Sequence, residues 1–235
     1  IVVIIILPLS AVYHKIGEYG TPSYALSVTV SNNIAYVAAW DAGLQIIDIS
    51  NPQNPSLLGS YDTPDYANYV VMSDNIVYVA GGESGLLIVD VTNPENPFLL
   101  SSYYTTGSAF SVDFYNSIAY VANGWAGLQI IDVSNPENPS LLGSYDTPDW
   151  AYSVFVSNNI AYVADGWAGL QIIDVSNPQN PVLLVSYDTP RYAESVTVSN
   201  NIAYVADGWA GLQIIDVTNP QNPFILGSYH TPYYA

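Results

Sequence analysis

Gly169–Pro181 reads GLQIIDVSNPQNP, and nearly the same thirteen residues begin again at Gly43, Gly85, Gly127 and Gly211, each start 42 residues after the last. A self-similar period of that size sets the architecture before any single residue is weighed. Working outward, each unit divides into four short runs. In the fourth they are Ala151–Ser157, Ile160–Ala164, Leu170–Val175 and Val182–Tyr187. They are rich in β-branched and aromatic residues and bounded by Asn158-Asn159, Asp165–Gly169, Ser176–Pro181 and Asp188–Pro190, which are turn formers. No window carries a helical apolar stripe.

Four antiparallel strands in about 42 residues describe a blade of a β-propeller. A parallel solenoid has shorter coils and lacks the two-residue hairpin turn. The expected fold is therefore all-β, with five blades at 23–64, 65–106, 107–148, 149–190 and 191–232, in one domain over 12–235. Tyr13–Thr21 matches the outermost strand of a blade, compared with Ser56–Thr63. Two arrangements stay open: a five-bladed ring with a spare strand, or part of a ring of six or more blades.

Of 235 residues half are hydrophobic and 9% charged, so an ordered core is expected. Twenty acids face two bases, Lys15 and Arg191, for a net charge of −18. Phosphate binding needs clustered Lys and Arg, so nucleic acid is a poor partner, as is an anionic membrane surface. Cations, neutral sugars, other carbohydrate and other proteins stay open as partners. The absence of cysteine excludes disulfides and thiol chemistry. Ile1–Leu7 (IVVIIIL) is too short to span a bilayer. With the small residues that follow, 1–11 reads as a signal-peptide remnant, the other reading being an extra strand. The first implies an exported, extracellular or cell-surface protein, with no membrane insertion of the mature domain.

Within the second unit, Gly85–Pro94 (GLLIVDVTNP) resembles the defining stretch of the LVIVD-repeat family. The other four copies differ mainly by Gln for Leu and Ile for Val. The resemblance extends over 13–235 and implies a bacterial or archaeal surface or secreted β-propeller. It implies no general enzymatic activity and no catalytic residues.

The repeated Asp48, Asp90, Asp132, Asp174 and Asp216 invite a ring of metal-binding carboxylates, but a structural role is the expectation. Each can accept backbone N–H bonds in the Ser/Thr-Asn-Pro turn that follows. Their prolines read as rigid connectors. No metal or other cofactor is expected: there is no calcium loop of defined spacing, and His14 and His230 stand on outer segments. No nucleophile motif or phosphate loop appears.

Strand alternation sends the loop between second and third strands to the same face as the loop between blades. The first carries Trp40, Trp125, Trp167 and Trp209, with Glu83 in the second blade. The other carries Tyr24, Tyr66, Trp150 and Tyr192, with Ser108 in the third. Such a ring can stack on sugar faces, or each indole can wedge against its neighbouring blade.

The blades serve as internal controls for one another, and they diverge at three positions: Ser23, Asp65, Gly107, Asp149 and Arg191; Leu26, Asn68, Phe110, Tyr152 and Glu194; Thr29, Val71, Asp113, Phe155 and Thr197. These lie on or beside the innermost strand, where asymmetry suits a ligand site, as drift also would. Asp65, Asp113, Asp149 and Glu194 join the aromatics as candidate ligand contacts, and a carboxylate pair among them for glycoside chemistry is the weakest reading. The expected function is a non-catalytic binding or interaction scaffold. The alternative is a structural spacer within a larger surface protein.

Overall fold

The computed structural model describes residues 15–233 and 235. The segment 1–11 and His14 lie outside them. Five four-stranded antiparallel sheets follow one another, each in simple sequence order. In the fourth, the strands are Ser153–Ser157, Ile160–Ala164, Leu170–Asp174 and Val182–Tyr187. The first two are joined by Asn158-Asn159 with φ of 51° and 62°. Two positive φ angles make the hairpin turn whose twist matches the strands, which is why asparagine recurs there. The last strand pair shifts register between Ile172 and Ile173, and the same shift recurs in all five sheets.

The core lies between the sheets. Each of four clusters joins the second and third strands of one blade to the strands of the next: Tyr36, Leu44 and Ile46 meet Val70, Val79 and Leu87, and Tyr162, Leu170 and Ile172 meet Val196, Val205 and Ile215. In the interior blades the first four residues of the third strand are buried, Gln129 and Gln171 among them, since it has a neighbouring sheet on each face. The innermost strands, Ser27–Ser31, Tyr69–Ser73, Ser111–Tyr115, Ser153–Ser157 and Ser195–Ser199, neighbour one another in that order from blade to blade.

The first and fifth sheets each keep one such face uncovered. Val28 is 42% and Val30 57% exposed, whereas Val70, Val112, Val154 and Val196, which repeat Val28, are nearly inaccessible. At the far end Leu226 and Tyr229 are more than half exposed. Among the described residues no atom stands within 4 Å of a Cβ built on Gly227, while its repeats Gly59 and Gly143 press on the backbone of the following blade at Pro94 and Pro178. Gly17 presses in the same way on Pro52, and Tyr19 packs against Ala35, Val37 and Ile47. The segment before the first blade thus occupies the place of a preceding blade's outermost strand, although it forms no regular strand over 15–21.

Each of the five repeated aspartates accepts a bond from the amide two residues on: Ser50 to Asp48, Thr92 to Asp90, Ser134 to Asp132, Ser176 to Asp174 and Thr218 to Asp216, at 2.8–2.9 Å. The backbone and hydroxyl of Ser134 hold Asp132 below the usual carboxylate range, as the hydroxyl and backbone of Ser176 do for Asp174.

Candidate functional site

The loop between second and third strands is built so that its aromatic residue must point outward. In Asp165–Gly169, the Ala168 amide donates to Asp165 O and the Gly169 amide to Gly166 O, and Gly166 and Gly169 take φ of 52° and 74°. Gly166 then exchanges backbone hydrogen bonds with Ala193 of the interblade loop, at 2.9 and 3.1 Å. The same two-bond bridge joins Trp40 to Ala67, Gly82 to Ala109 and Gly124 to Ala151. The bridging alanines Ala67, Ala109, Ala151 and Ala193 are buried, and Trp125, Trp167 and Trp209 are 58–65% exposed.

Because each bridge ties two loops together, aromatics distant in sequence become neighbours. Trp150 and Phe110 lie 5.9 Å apart between ring centroids, Phe110 and Tyr152 5.1 Å, Tyr152 and Tyr192 5.4 Å, and Tyr192 and Trp167 5.3 Å. The Tyr192 hydroxyl donates to that of Tyr152 at 2.7 Å. This band crosses blades three to five. A separate group forms on the first two blades, where Trp40 stacks on Tyr66 at 4.5 Å and meets Tyr24 edge-on at 5.7 Å. Trp40 has φ of 47° at the position that is glycine in the other blades, which explains its displacement by one residue. Trp125 has no ring partner among the described residues.

At the end of the band, Trp167, Arg191, Tyr192 and Trp209 line a hollow of about 460 Å³. Its walls are almost wholly apolar.

The candidate carboxylates divide by what they already hold. Asp65 accepts from the Glu83 amide and Asp149 from the Trp167 amide, both at 2.7 Å. Asp113 accepts from Val156 N at 2.6 Å and Phe114 N at 2.8 Å. In each, a carboxylate oxygen caps a loop or links innermost strands. Burial pushes the Asp113 carboxyl up, against the pull of its two amide donors. Glu194 lies half-buried on the approach to its innermost strand. Among the described residues no group of three His, Asp or Glu side chains converges as a metal site would require.

Sequence reasoning missed a second pair. Asp165 and Asp207 are buried and tie their loop to the loop that leads into the blade: Asp165 accepts from Asp149 N at 3.2 Å, and Asp207 from Thr189 Oγ1 at 2.8 Å and Arg191 N at 3.0 Å. Burial pushes both carboxyls up. Asn123 holds the place in the third blade, its amide oriented to accept from Gly107 N at 2.9 Å and donate to Thr105 Oγ1 at 2.8 Å. The signal was present at 42-residue spacing, since Ala39, Gly81, Asn123, Asp165 and Asp207 turn polar only in the last three blades.

Comparison with known proteins follows the repeat. The family model described as LVIVD repeat matches residues 22–63, 64–105, 106–147, 150–189 and 190–231. No curated protein matches the chain. Among solved structures it is similar to the computationally designed Ika8 protein, with 15% identity over 92% of this chain and 64% of that one and a TM-score of 0.72. It is also similar to Sqt1 from Chaetomium thermophilum, with 14% identity, 91% and 61% coverage and a TM-score of 0.69. The designed Ika4 protein gives 15% identity, 65% and 92% coverage and a TM-score of 0.55. At such identities the likeness is one of fold. The chain spans a little under two thirds of the length of Ika8 and of Sqt1.

Proposed function

The chain belongs to the LVIVD-repeat family, and on that scaffold we propose an exported, cell-surface binding module that takes carbohydrate on its aromatic face. The observation that carries the reading is the hollow of about 460 Å³ between Trp167, Tyr192, Trp209 and Arg191. Indoles exposed beyond half their surface are costly to keep in water, and clustered around a concavity they mark a contact surface. Flat aromatic walls suit the apolar faces of sugar rings, while phenols at the edge take hydroxyl hydrogen bonds. The Tyr152–Tyr192 bond and the bridge at Ala193 preorganise that wall, so little side-chain entropy is lost on binding. Catalysis is not part of the proposal.

The test is a glycan array probed with the intact protein and with a variant carrying Trp125→Ala, Trp167→Ala and Trp209→Ala together. The expected result is binding by the parent, lost in the variant at an unchanged melting temperature. Binding that survives all three substitutions overturns the aromatic-face reading. No binding by the parent leaves the spacer role in its place.

A further inference from the structure

Arg191 is the chain's only arginine, and its place in the repeat gives it a meaning its exposure alone would not. Its counterparts Asp65 and Asp149 turn their carboxylates onto the amide at the tip of their own blade's loop, at Glu83 and Trp167. In the fifth blade that carboxylate is replaced by a guanidinium, while the loop keeps the backbone bonds of its counterparts, Ala210 N to Asp207 O and Gly211 N to Gly208 O. The substitution exchanges a negative group engaged by the backbone for a positive one that lines the hollow.

The backbone of Arg191 is held on both sides. Its amide donates to the buried Asp207 carboxylate at 3.0 Å, and two residues on Ala193 is bridged to Gly166. The side chain is exposed, and among the described residues the guanidinium makes no hydrogen bond or ion pair; the ion pair present joins Lys15 to Glu18. A guanidinium is a planar fork of five donors that matches a carboxylate two bonds at a time. Arg191 lines the same hollow as Trp167, Tyr192 and Trp209, whose flat faces suit a sugar ring. The volume falls within the roughly 300–1,000 Å³ of small-ligand sites.

Resting on the carbohydrate reading above, we propose that this hollow selects a carboxylated sugar, a uronic acid residue, with Arg191 binding the carboxylate and Trp167 and Trp209 flanking the ring. The protein's net charge of −18 opposes an anion at long range. That opposition is screened beyond about 8 Å at physiological ionic strength, whereas a bidentate pair in contact is screened much less. A short uronate oligosaccharide is therefore a better fit than a long polyanion.

The experiment is calorimetric titration with tri-galacturonate and with its fully methyl-esterified form, which differ in charge at the carboxyl. The acid should bind at least roughly tenfold more tightly than the ester, the scale of one charge-assisted pair. Arg191→Gln should bring that ratio to about one with an unchanged melting temperature, and Arg191→Asp, the residue of the fourth blade, should reverse it. Equal affinities in the parent, or a preference that survives Arg191→Gln, overturn the proposal. Ester binding that depends on Trp167 without any preference for the acid would sink this inference and leave the carbohydrate reading intact. Failure of both forms to bind counts against both. A tighter response to a sulfated trisaccharide than to the uronate would overturn the carboxylate assignment while keeping Arg191 as the anion contact.

Discussion

The hydroxyl of Tyr192 donates to the hydroxyl of Tyr152 at 2.7 Å, joining two residues forty positions apart and closing the aromatic band between the fourth and fifth blades. Replacing Tyr152 with phenylalanine keeps the ring contacts to Phe110, Trp150 and Tyr192 and removes the bond. The expected loss is about 1 kcal/mol, the net worth of one neutral hydrogen bond, read as a shift in the urea midpoint at constant slope. A loss of several kcal/mol would mean that the band is core rather than surface.

Asp165→Asn should stabilise the protein at neutral pH. Burial raises the folded-state pKa of Asp165 above its unfolded value of about 3.9. The favourable contribution of its protonated form is therefore complete below that value and is lost as pH rises through the folded one. Asn123 already fills the repeated position with both amide atoms bonded. The melting temperature should rise by roughly 2–4 °C at pH 7, about 1 kcal/mol for a chain of this size. The gain should vanish below about pH 4. A gain independent of pH would show that desolvation of the charge is not its origin.

The surface aspartates carry the opposite sign. Asp174 is held low by the hydroxyl and amide of Ser176, so its contribution is present above the unfolded pKa and lost as pH falls through the folded one. Asp174→Ala should cost under about 1 kcal/mol at pH 7, since water screens an exposed group. Parent and variant melting curves should converge in acid. Curves that stay apart at pH 2 would refute an ionic origin.

Gly169→Ala should be among the most damaging single changes. Gly169 has φ of 74°, and a side chain there would collide with the backbone oxygen of Tyr187 and stand 2.7 Å from Thr189 N. Left-handed strain and a backbone clash together should cost about 2 kcal/mol or more, measured by chemical denaturation. Neutrality would show that the neighbouring strand gives way.

Much of this fold was legible in the sequence for a definite reason. The turn at Asn158-Asn159, the runs of β-branched residues and the Asp174–Ser176 turn all depend on residues close together in the chain. Five copies made each local signal redundant. The candidate site was legible only as an inventory of aromatics, because its geometry arises from bridges such as Gly166 with Ala193. Those bridges place Phe110 beside Trp150 across forty residues, a distance that spacing within a unit does not encode. Asp65 and Asp149 stand out in sequence by their variability between blades, but the loop amides they accept, from Glu83 and Trp167, lie eighteen residues on and cannot be read from it.

The uncovered valine face of the first sheet and the uncovered leucine-tyrosine face of the fifth give the molecule a gradient of cooperativity. When most burial lies between neighbouring units, stability is a sum of unit terms and nearest-neighbour couplings. A blade with neighbours on both sides must break two couplings to open, and a terminal blade only one. Amide exchange should therefore be slowest in the second to fourth blades, with opening spreading inward from each end. The hollow at Arg191 lies where the fourth blade meets the fifth. A ligand seated there would bind across the last coupling and protect the blade with the least support of its own.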